Sequence, residues 1–590
     1  MYPILNSSKE SRQTVDIIDT FAGYNHNLKI GDNEFYDVMN LSSDEAPVLA
    51  TRRARGLYIA SSNVQGMIEK DSLCYVDGSY FVMNQYRVDM GLSVREEDCP
   101  KQLVSMGAYV VIFPDKMYIN TMDLTDFGSL DAEFTSASHV TFSLCKQDGT
   151  VYQPDYIQPE EPSGAENMAI WMDTSDTPHS LKQWSASAGI WSGIATTYIK
   201  IQCAGIGKAF SQYDGVKISI QEGITASTAD QINALNGSHV IYAADDDSIT
   251  VTGILDEQTT VEQQITVSRK MPLVDFVVEN DNRLWGCRYG MNRDGEVVNE
   301  LYACKLGDFK NWECYMGIST DSYAVSLGSD GQFTGAITHA GYPIFFKENC
   351  MHKVYGYIPS NFQVQTTPCR GVQKGCSRSL AIVNEILFYK SRNAICAYDG
   401  SLPTEISSAF GNVQYQNAVA GSNGNKYYVS MQEVDSGNPI MMVYDTSNGL
   451  WHKEDGVNAV QFCSCRGELY CATEDGKIIT MLGSGDSFEC IVAWMAETGI
   501  INASYPERKY LKRINIRLAL DPGSTLSVSA EYNSCGTFKH IGTMTGDNIQ
   551  SFTFPVRPKR CDHLRLRFDG YGKAIVFSIT KTISGGSDSP

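Results

Sequence analysis

The side chains best suited to chemistry with a charged partner are nine basic residues: Arg508, Lys509, Lys512, Arg513, Arg557, Lys559, Arg560, Arg565 and Arg567. Side chains alternate along an extended strand, so Arg565 and Arg567 share one face, opposite Leu564, Leu566 and Phe568. Arg513 and Arg517 lie in the same way opposite Ile514, Ile516 and Leu518. Such rows suit two tasks. One is docking onto an acidic surface of a neighbouring subunit, where complementary potential sets the register. The other is contact with a DNA backbone. For any single residue the plain alternative is the solvated outer face of a sheet. Seven of these residues form the candidate subunit-docking or DNA-backbone set: Arg508, Lys512, Arg513, Lys559, Arg560, Arg565 and Arg567.

Other reactive residue types form no convincing constellation. Ser329-Asp330-Gly331 before Phe333-Thr334 invites comparison with an Asp-box, but the spacing does not fit and a tight turn reads better. Asp245-Asp-Asp247 clusters carboxylates as hard cations require, yet lacks a spaced ligand loop and reads as a solvated turn. The nine histidines show no HxH or HxxxH spacing, and His352 and His452 read as packed or surface groups. Seventeen cysteines include no CxxC pair, and Cys463 and Cys465 merely share a strand face. Cys287, Cys304 and Cys396 lie in apolar runs and are expected as buried thiols of a protein made in a reducing cytoplasm. No Gly-rich loop opens a helix. The expectation is no enzyme: no catalytic residues, no cofactor and no metal.

Charge narrows the partners. The 590 residues carry a formal net charge of -21, which argues against a dedicated nucleic-acid binder. Residues 491–590 hold 13 Lys/Arg against 8 Asp/Glu, whereas the other 490 hold 34 against 60. That asymmetry hints at an interaction surface. The N-terminal residues do not read as a signal peptide, and no apolar run approaches the ~18 residues of a membrane span.

The elements that must position these residues read as β. From Asp275 to Tyr315, short β-branched and aromatic runs are split by turns at Asn280-Asp281-Asn282 and Asn292-Arg293-Asp294-Gly295, the pattern of a small antiparallel meander. One meander buries too little to stand alone. Equivalent strands begin at Pro343, Ile386, Lys426 and Glu468, with spacings of 43, 40 and 42 residues, and two further hairpins begin at Leu73 and Tyr109. A period near 40 is that of propeller blades. Seven candidates follow: 63–90, 101–130, 272–316, 335–365, 378–407, 417–453 and 458–483. Trp285 and Trp312 then read as packing residues. The predicted fold class is mainly β: a β-propeller of about seven blades, with an inserted small α/β domain and a C-terminal β-sandwich. The predicted domains are an extended arm with little regular structure (1–60), the first blades (61–130), the insertion (131–270), the remaining blades (271–485), and the sandwich with a loose tail (486–590). The insertion carries 7 Lys/Arg against 18 Asp/Glu. Its first half reads as loop and its second as β, with a short helix over Ala229–Leu235. Thr51-Arg-Arg-Ala-Arg55, in the arm, is expected to find an intramolecular partner in so acidic a chain.

The segment Asp275–Gly483 resembles the propeller-bearing nozzle, or packaged-DNA-stabilisation, subunits of short-tailed bacteriophages. The residues carrying the resemblance are Asn282-Arg-Leu-Trp-Gly-Cys287, Leu306-Gly-Asp-Phe309, Phe345-Phe-Lys-Glu348 and Tyr398-Asp-Gly400, together with the arm through Phe21-Ala-Gly and Asn40-Leu-Ser. It covers the propeller and arm well, the sandwich moderately and the insertion poorly. It implies a non-catalytic virion protein, assembled in the host bacterial cytoplasm and built into the tail. The implied assembly is a homo-oligomeric ring, usually a hexamer, below the portal and adaptor. That ring continues the channel, retains the packaged genome and lets DNA pass non-specifically at ejection. A negative conduit suits this task because it repels phosphates. Two other readings stand beside it. A receptor- or carbohydrate-binding tail protein would use exposed aromatics such as Tyr532 and Tyr571, and a propeller glycoside hydrolase would need paired carboxylates.

Overall fold

The computed structural model describes residues 13–60, 62–94, 101–137, 139–501, 508–546 and 548–585. The tail expected to be loose falls, beyond Gly585, outside the described residues. Among the described residues are 53 strands and a single α-helix, so the chain is mainly β.

The periodic part folds into seven antiparallel meanders. Six have four strands of their own, within residues 64–89, 102–129, 276–326, 335–368, 381–405 and 415–454. The seventh has three, Ala459–Cys465, Glu468–Thr473 and Ile478–Thr480, and is extended by Gly56–Ile59 and Asp486–Ser487. Local turn chemistry sets these sheets. Asp281 (φ 51°) and Asn282 (φ 56°) are both left-handed, the two-residue turn whose twist matches the strands it joins.

Each meander meets the next through specific contacts. Lys101 N–H donates to Gln65 O between the first and second. The Gln102 amide pairs with both backbone groups of Val277, as an extra strand residue would. Thr338 Oγ1 donates to Glu279 O, His339 Nε2–H to Glu385 O at 2.7 Å, and Tyr427 OH to Ser379 O at 2.8 Å. A Cβ at Gly421 would lie 2.4 Å from Phe462 Cβ, so only glycine lets the sixth and seventh sheets approach. Gln461 then bonds both backbone groups of Met67, joining the seventh meander to the first.

The segment between the second and third meanders departs from the α/β expectation. Its helix covers only Ala229–Asn233, a little over one turn. Asn236 ends it: its Nδ2 donates to Asn233 O while its Oδ1 accepts from Ile220 N–H, tying the chain to a strand. The segment is instead built of three sheets. Two of them enclose one core, with Phe142, Ile199, Ile201, Ile249 and Val251 from one and Val216, Ile218, Ile265 and Val267 from the other. The third lies in the stretch expected to be loop: Tyr156–Gln158, Ile170–Asp173, Ser180–Ser185 and Ile190–Gly193.

The C-terminal region forms two sheets that share a core. One contains Lys509–Leu520, Ile549–Pro555 and Ala574–Gly585; the other contains Ala493–Thr498, Thr525–Tyr532, Lys539–Thr545 and Leu564–Tyr571. Ile514, Ile516 and Leu518 meet Val528, Leu566 and Phe568 between them. The arm differs from its expected irregularity. Gln13–Ile18 and Leu49–Thr51 pair with Ala574–Gly585, Phe35–Met39 pairs with Ala493–Thr498, and Gly56–Ile59 joins the seventh meander. These strands are regular because C-terminal segments more than 400 residues away supply their hydrogen bonds.

Two arginines fasten this arm. Arg52 donates to Glu489 Oε2 at 2.7 Å, to Asp455 Oδ1 at 3.0 Å and to Asn40 Oδ1 at 2.8 Å. Arg55 reaches Glu454 Oε2 and Asp455 Oδ1, both at 2.8 Å. Burial alone would raise the Asp455 carboxyl, but Arg55 and Arg52 overcome it and hold it below its ordinary value. Side-chain exposure is 3% for Arg55 and 8% for Glu454, so neither charge has water as a substitute partner. Arg55→Met is therefore expected to cost roughly 3–5 kcal/mol, the range for breaking a buried pair. The exposed Arg53→Met should stay within about 0.5 kcal/mol. Denaturant unfolding, with limited proteolysis of the arm, checks both; equal behaviour of the two variants would contradict this account.

Candidate functional site

The C-terminal strands place the seven basic candidates on two separate surfaces. Arg508 is exposed ahead of Lys509–Leu520; Arg513 is exposed and Lys512 half-buried within that strand. Lys559 is exposed, with its ammonium 5.0 Å above the Tyr532 ring, and Arg560 is half-buried. Arg565 and Arg567 sit on the outer face of the other sheet. Arg565 pairs with Glu497 at 3.1 Å and lies over the Tyr36 ring, whereas Arg567 pairs with Asp569 at 3.0 Å. One basic row has thus become five residues on or beside one sheet, three of them exposed, and two carboxylate-paired arginines on the other. The alternation was readable in the sequence; membership of opposite sheets is a long-range property.

The exposed group borders a feature the sequence did not signal. Among the described residues, Ile549–Pro555 pairs only with Lys509–Leu520, leaving its outer edge open, and five of its seven residues are exposed. Arg513, Arg517, Arg557 and Lys559 stand exposed around it. Among the described residues the same sheet has a second open edge at Gln13–Ile18, which pairs only with Ala574–Gly585. Val15 and Ile17 there are 55% and 64% exposed, and Asp16 and Asp19 accompany them. An open edge presents unpaired N–H and C=O groups to any incoming strand. One sheet therefore offers a basic edge and an acidic edge.

The remaining candidates resolve into structure. Asp245 is held by Ser248 and Lys200, and Asp247 accepts from Gly205 N–H, so the triplet closes a turn. No group of three or more His, Cys, Asp or Glu among the described residues could hold a metal ion. Cys287, Cys304 and Cys396 are fully buried free thiols, and Trp285 and Trp312 are core residues. Tyr532, a lectin candidate, is only 5% exposed beneath Lys559 and presents no free ring face, while Tyr571 is 49% exposed.

Two histidines are packed, and their settings differ. His352 lies between Ser329 Oγ and Thr366 Oγ1, each at 2.9 Å, beside the buried Lys347. Lys347 donates to Asn299 Oδ1 and Ser329 O, with no carboxylate among its hydrogen-bond partners. Burial, reinforced by Lys347, pushes His352 down to about 4. Neither ring nitrogen of His452 has a hydrogen-bond partner among the described residues, and burial with Lys426 pushes it down to about 4 as well. A cleft of about 700 Å³ separates the arm at Thr51–Ala54 from Asp521–Ser524 and Gly572–Ile575. Its charges are mixed, Arg53 and Lys573 against Asp44 and Asp521, and converge on no single ligand type.

No protein-family model matches the chain, and no curated protein matches it. Among solved structures, a glycoside hydrolase aligns at a TM-score of 0.20 and 10% identity, over 50% of this chain and 96% of its own. The extracellular domain of a putative hybrid two-component system from B. thetaiotaomicron aligns at 0.20 and 10%, over 92% and 98%. Trypanosoma rangeli sialidase aligns at 0.17 and 8%, over 90% and 96%. At these scores the likenesses carry no functional content.

The depressed histidines set a pH window. The unfolded chain protonates them near 6.5, the folded chain only near 4, so the unfolded state binds more protons between those values. Stability is complete above about 6.5 and falls as pH drops towards 4, by about 3 kcal/mol per histidine. Replacing His452→Leu should flatten that decline by about one proton's worth of slope. Denaturant midpoints measured from pH 7 to pH 4 test it; an unchanged slope would refute the assignment.

Proposed function

We propose that this chain is a structural subunit of a short-tailed phage tail nozzle. The seven meanders serve as the blades of a propeller, the two C-terminal sheets as a sandwich clasped by the arm, and several copies as a ring around the DNA path. The observation that carries this reading is the pair of open edges on one sheet. A basic edge and an acidic edge on the same molecule favour head-to-tail contact, and a heterologous contact that closes generates a ring. The sequence resemblance to nozzle subunits supports the same reading and suggests sixfold order, with the portal, adaptor and other tail proteins as neighbours.

The charge distribution supports passage of DNA. Ten Lys or Arg side chains are buried among the described residues, against seven Asp or Glu. Burial thus withdraws more positive than negative charge from the surface of a chain already at -21. Phosphates meet a repelling wall and slide without adhering.

Electron microscopy and light scattering of the purified protein are expected to show closed rings. Arg513→Glu with Arg517→Glu, both exposed and outside the core, should dissolve the rings into monomers without changing thermal unfolding. Monomers at every concentration in the unmodified protein, or peripheral fibres in virions, would overturn the proposal.

A further inference from the structure

The third sheet of the insertion, Tyr156–Gln158 with Ile170–Asp173, Ser180–Ser185 and Ile190–Gly193, takes no part in the ring reading. Side chains alternate across it. Met172 and Leu181 pack with Leu144 in a small core, which defines the inner face. The register sets Trp171 opposite Lys182, Trp184 opposite Trp191, and Tyr156 beside Trp171, all on the other face. Three of the seven tryptophans in the chain gather there. Trp191 is central, with ring centroids 5.5 Å from Trp171, 5.4 Å from Trp184 and 6.2 Å from Tyr156.

This cluster is not an ordinary core. Trp171 is 3% exposed yet belongs to none of the hydrophobic cores. Its neighbours are Trp191 and the Lys182 ammonium, which stands 4.6 Å above its ring and bonds Asp173 at 2.7 Å. Trp184 and Trp191 are half-buried, and the buried Trp191 indole N–H finds no acceptor among the described residues. Trp184 and Trp191 leave part of their indole faces uncovered side by side, which marks a binding surface.

We propose that this face binds a neutral glycan. Trp184 and Trp191 stack against pyranose rings, while Lys182 and Gln158 bond hydroxyl groups. A sugar ring presents weakly positive C–H groups to the negative face of an indole and hydroxyl groups at its rim, matching both kinds of residue here. A hydroxyl oxygen would satisfy the Trp191 N–H after a small turn of the half-buried ring. Charge selects against the other ligands of aromatic platforms. Residues 131–270 carry 18 Asp/Glu against 7 Lys/Arg, which repels nucleic-acid phosphates and anionic lipid headgroups.

The test uses the whole protein on an array of neutral oligosaccharides, including β-1,4-glucan, α-1,4-glucan and chitin hexamers. Tryptophan fluorescence titration follows for those that bind. Saturable binding is expected, weakened at least tenfold by Trp184→Ala and by Trp191→Ala, and largely kept by Trp191→Phe. Thermal unfolding should be unaltered in Trp191→Phe and ring formation unaltered in all three, so failure here leaves the nozzle reading untouched, and the reverse. The proposal is overturned if no neutral glycan binds at about 1 mM, if Trp184→Ala and Trp191→Ala bind as the parent does, or if only DNA, anionic vesicles or another protein compete for the face.

Discussion

The buried exchange between Arg52, Arg55 and the carboxylates of Glu454, Asp455 and Glu489 is the constraint on which the rest depends. It lies where three parts of the chain meet: the arm, the end of the sixth meander and the segment leading to the C-terminal sheets. Arg52, Arg55 and Glu454 are shielded from water, so losing a partner there leaves a buried charge uncompensated. Around it the arm places Phe35–Met39 and Leu49–Thr51 into the C-terminal sheets and Gly56–Ile59 into the seventh meander. Hydrophobic burial supplies the bulk of the stability; this network decides which surfaces are brought together.

Legibility in the sequence followed locality. The strands of the meanders could be read because each hairpin is coded by neighbouring residues, as at Asp281-Asn282, where two left-handed positions join two apolar runs. The arm could not be read, because the partner of Ile59 is Ile478. Its arginines were the exception: an isolated basic cluster in an acidic chain implies internal partners, and Arg52 and Arg55 have them. The insertion was misjudged at two points. The short helix stands where it was read and stops by Asn236, but three sheets, not an α/β unit, build the segment around it. The aromatic sheet was concealed by short strands among Gly, Ser and Pro, one pair of them parallel.

The candidate site divides along the same line. That Arg565 and Arg567 share a face is a two-residue fact, and the structure keeps it. That Arg513 belongs to one sheet and Arg565 to the other is set by pairings with segments 34 to 70 residues distant. The open edges are harder still to foresee. An edge is defined by the strand that does not come, and both are visible only once every other pairing in the sheet is assigned.

The placement of Gly56–Ile59 has a temporal side. On the ribosome this strand emerges about 420 residues before Ile478, its partner. At typical synthesis rates of ~5–20 residues per second it waits roughly 20–80 s with unsatisfied backbone groups. Through that interval the first meanders can fold, but the seventh cannot be completed, and the long loop that must close slows the final step. The nascent chain therefore carries its own timer, and an open sheet edge is exposed to other chains until the last meander arrives to cover it.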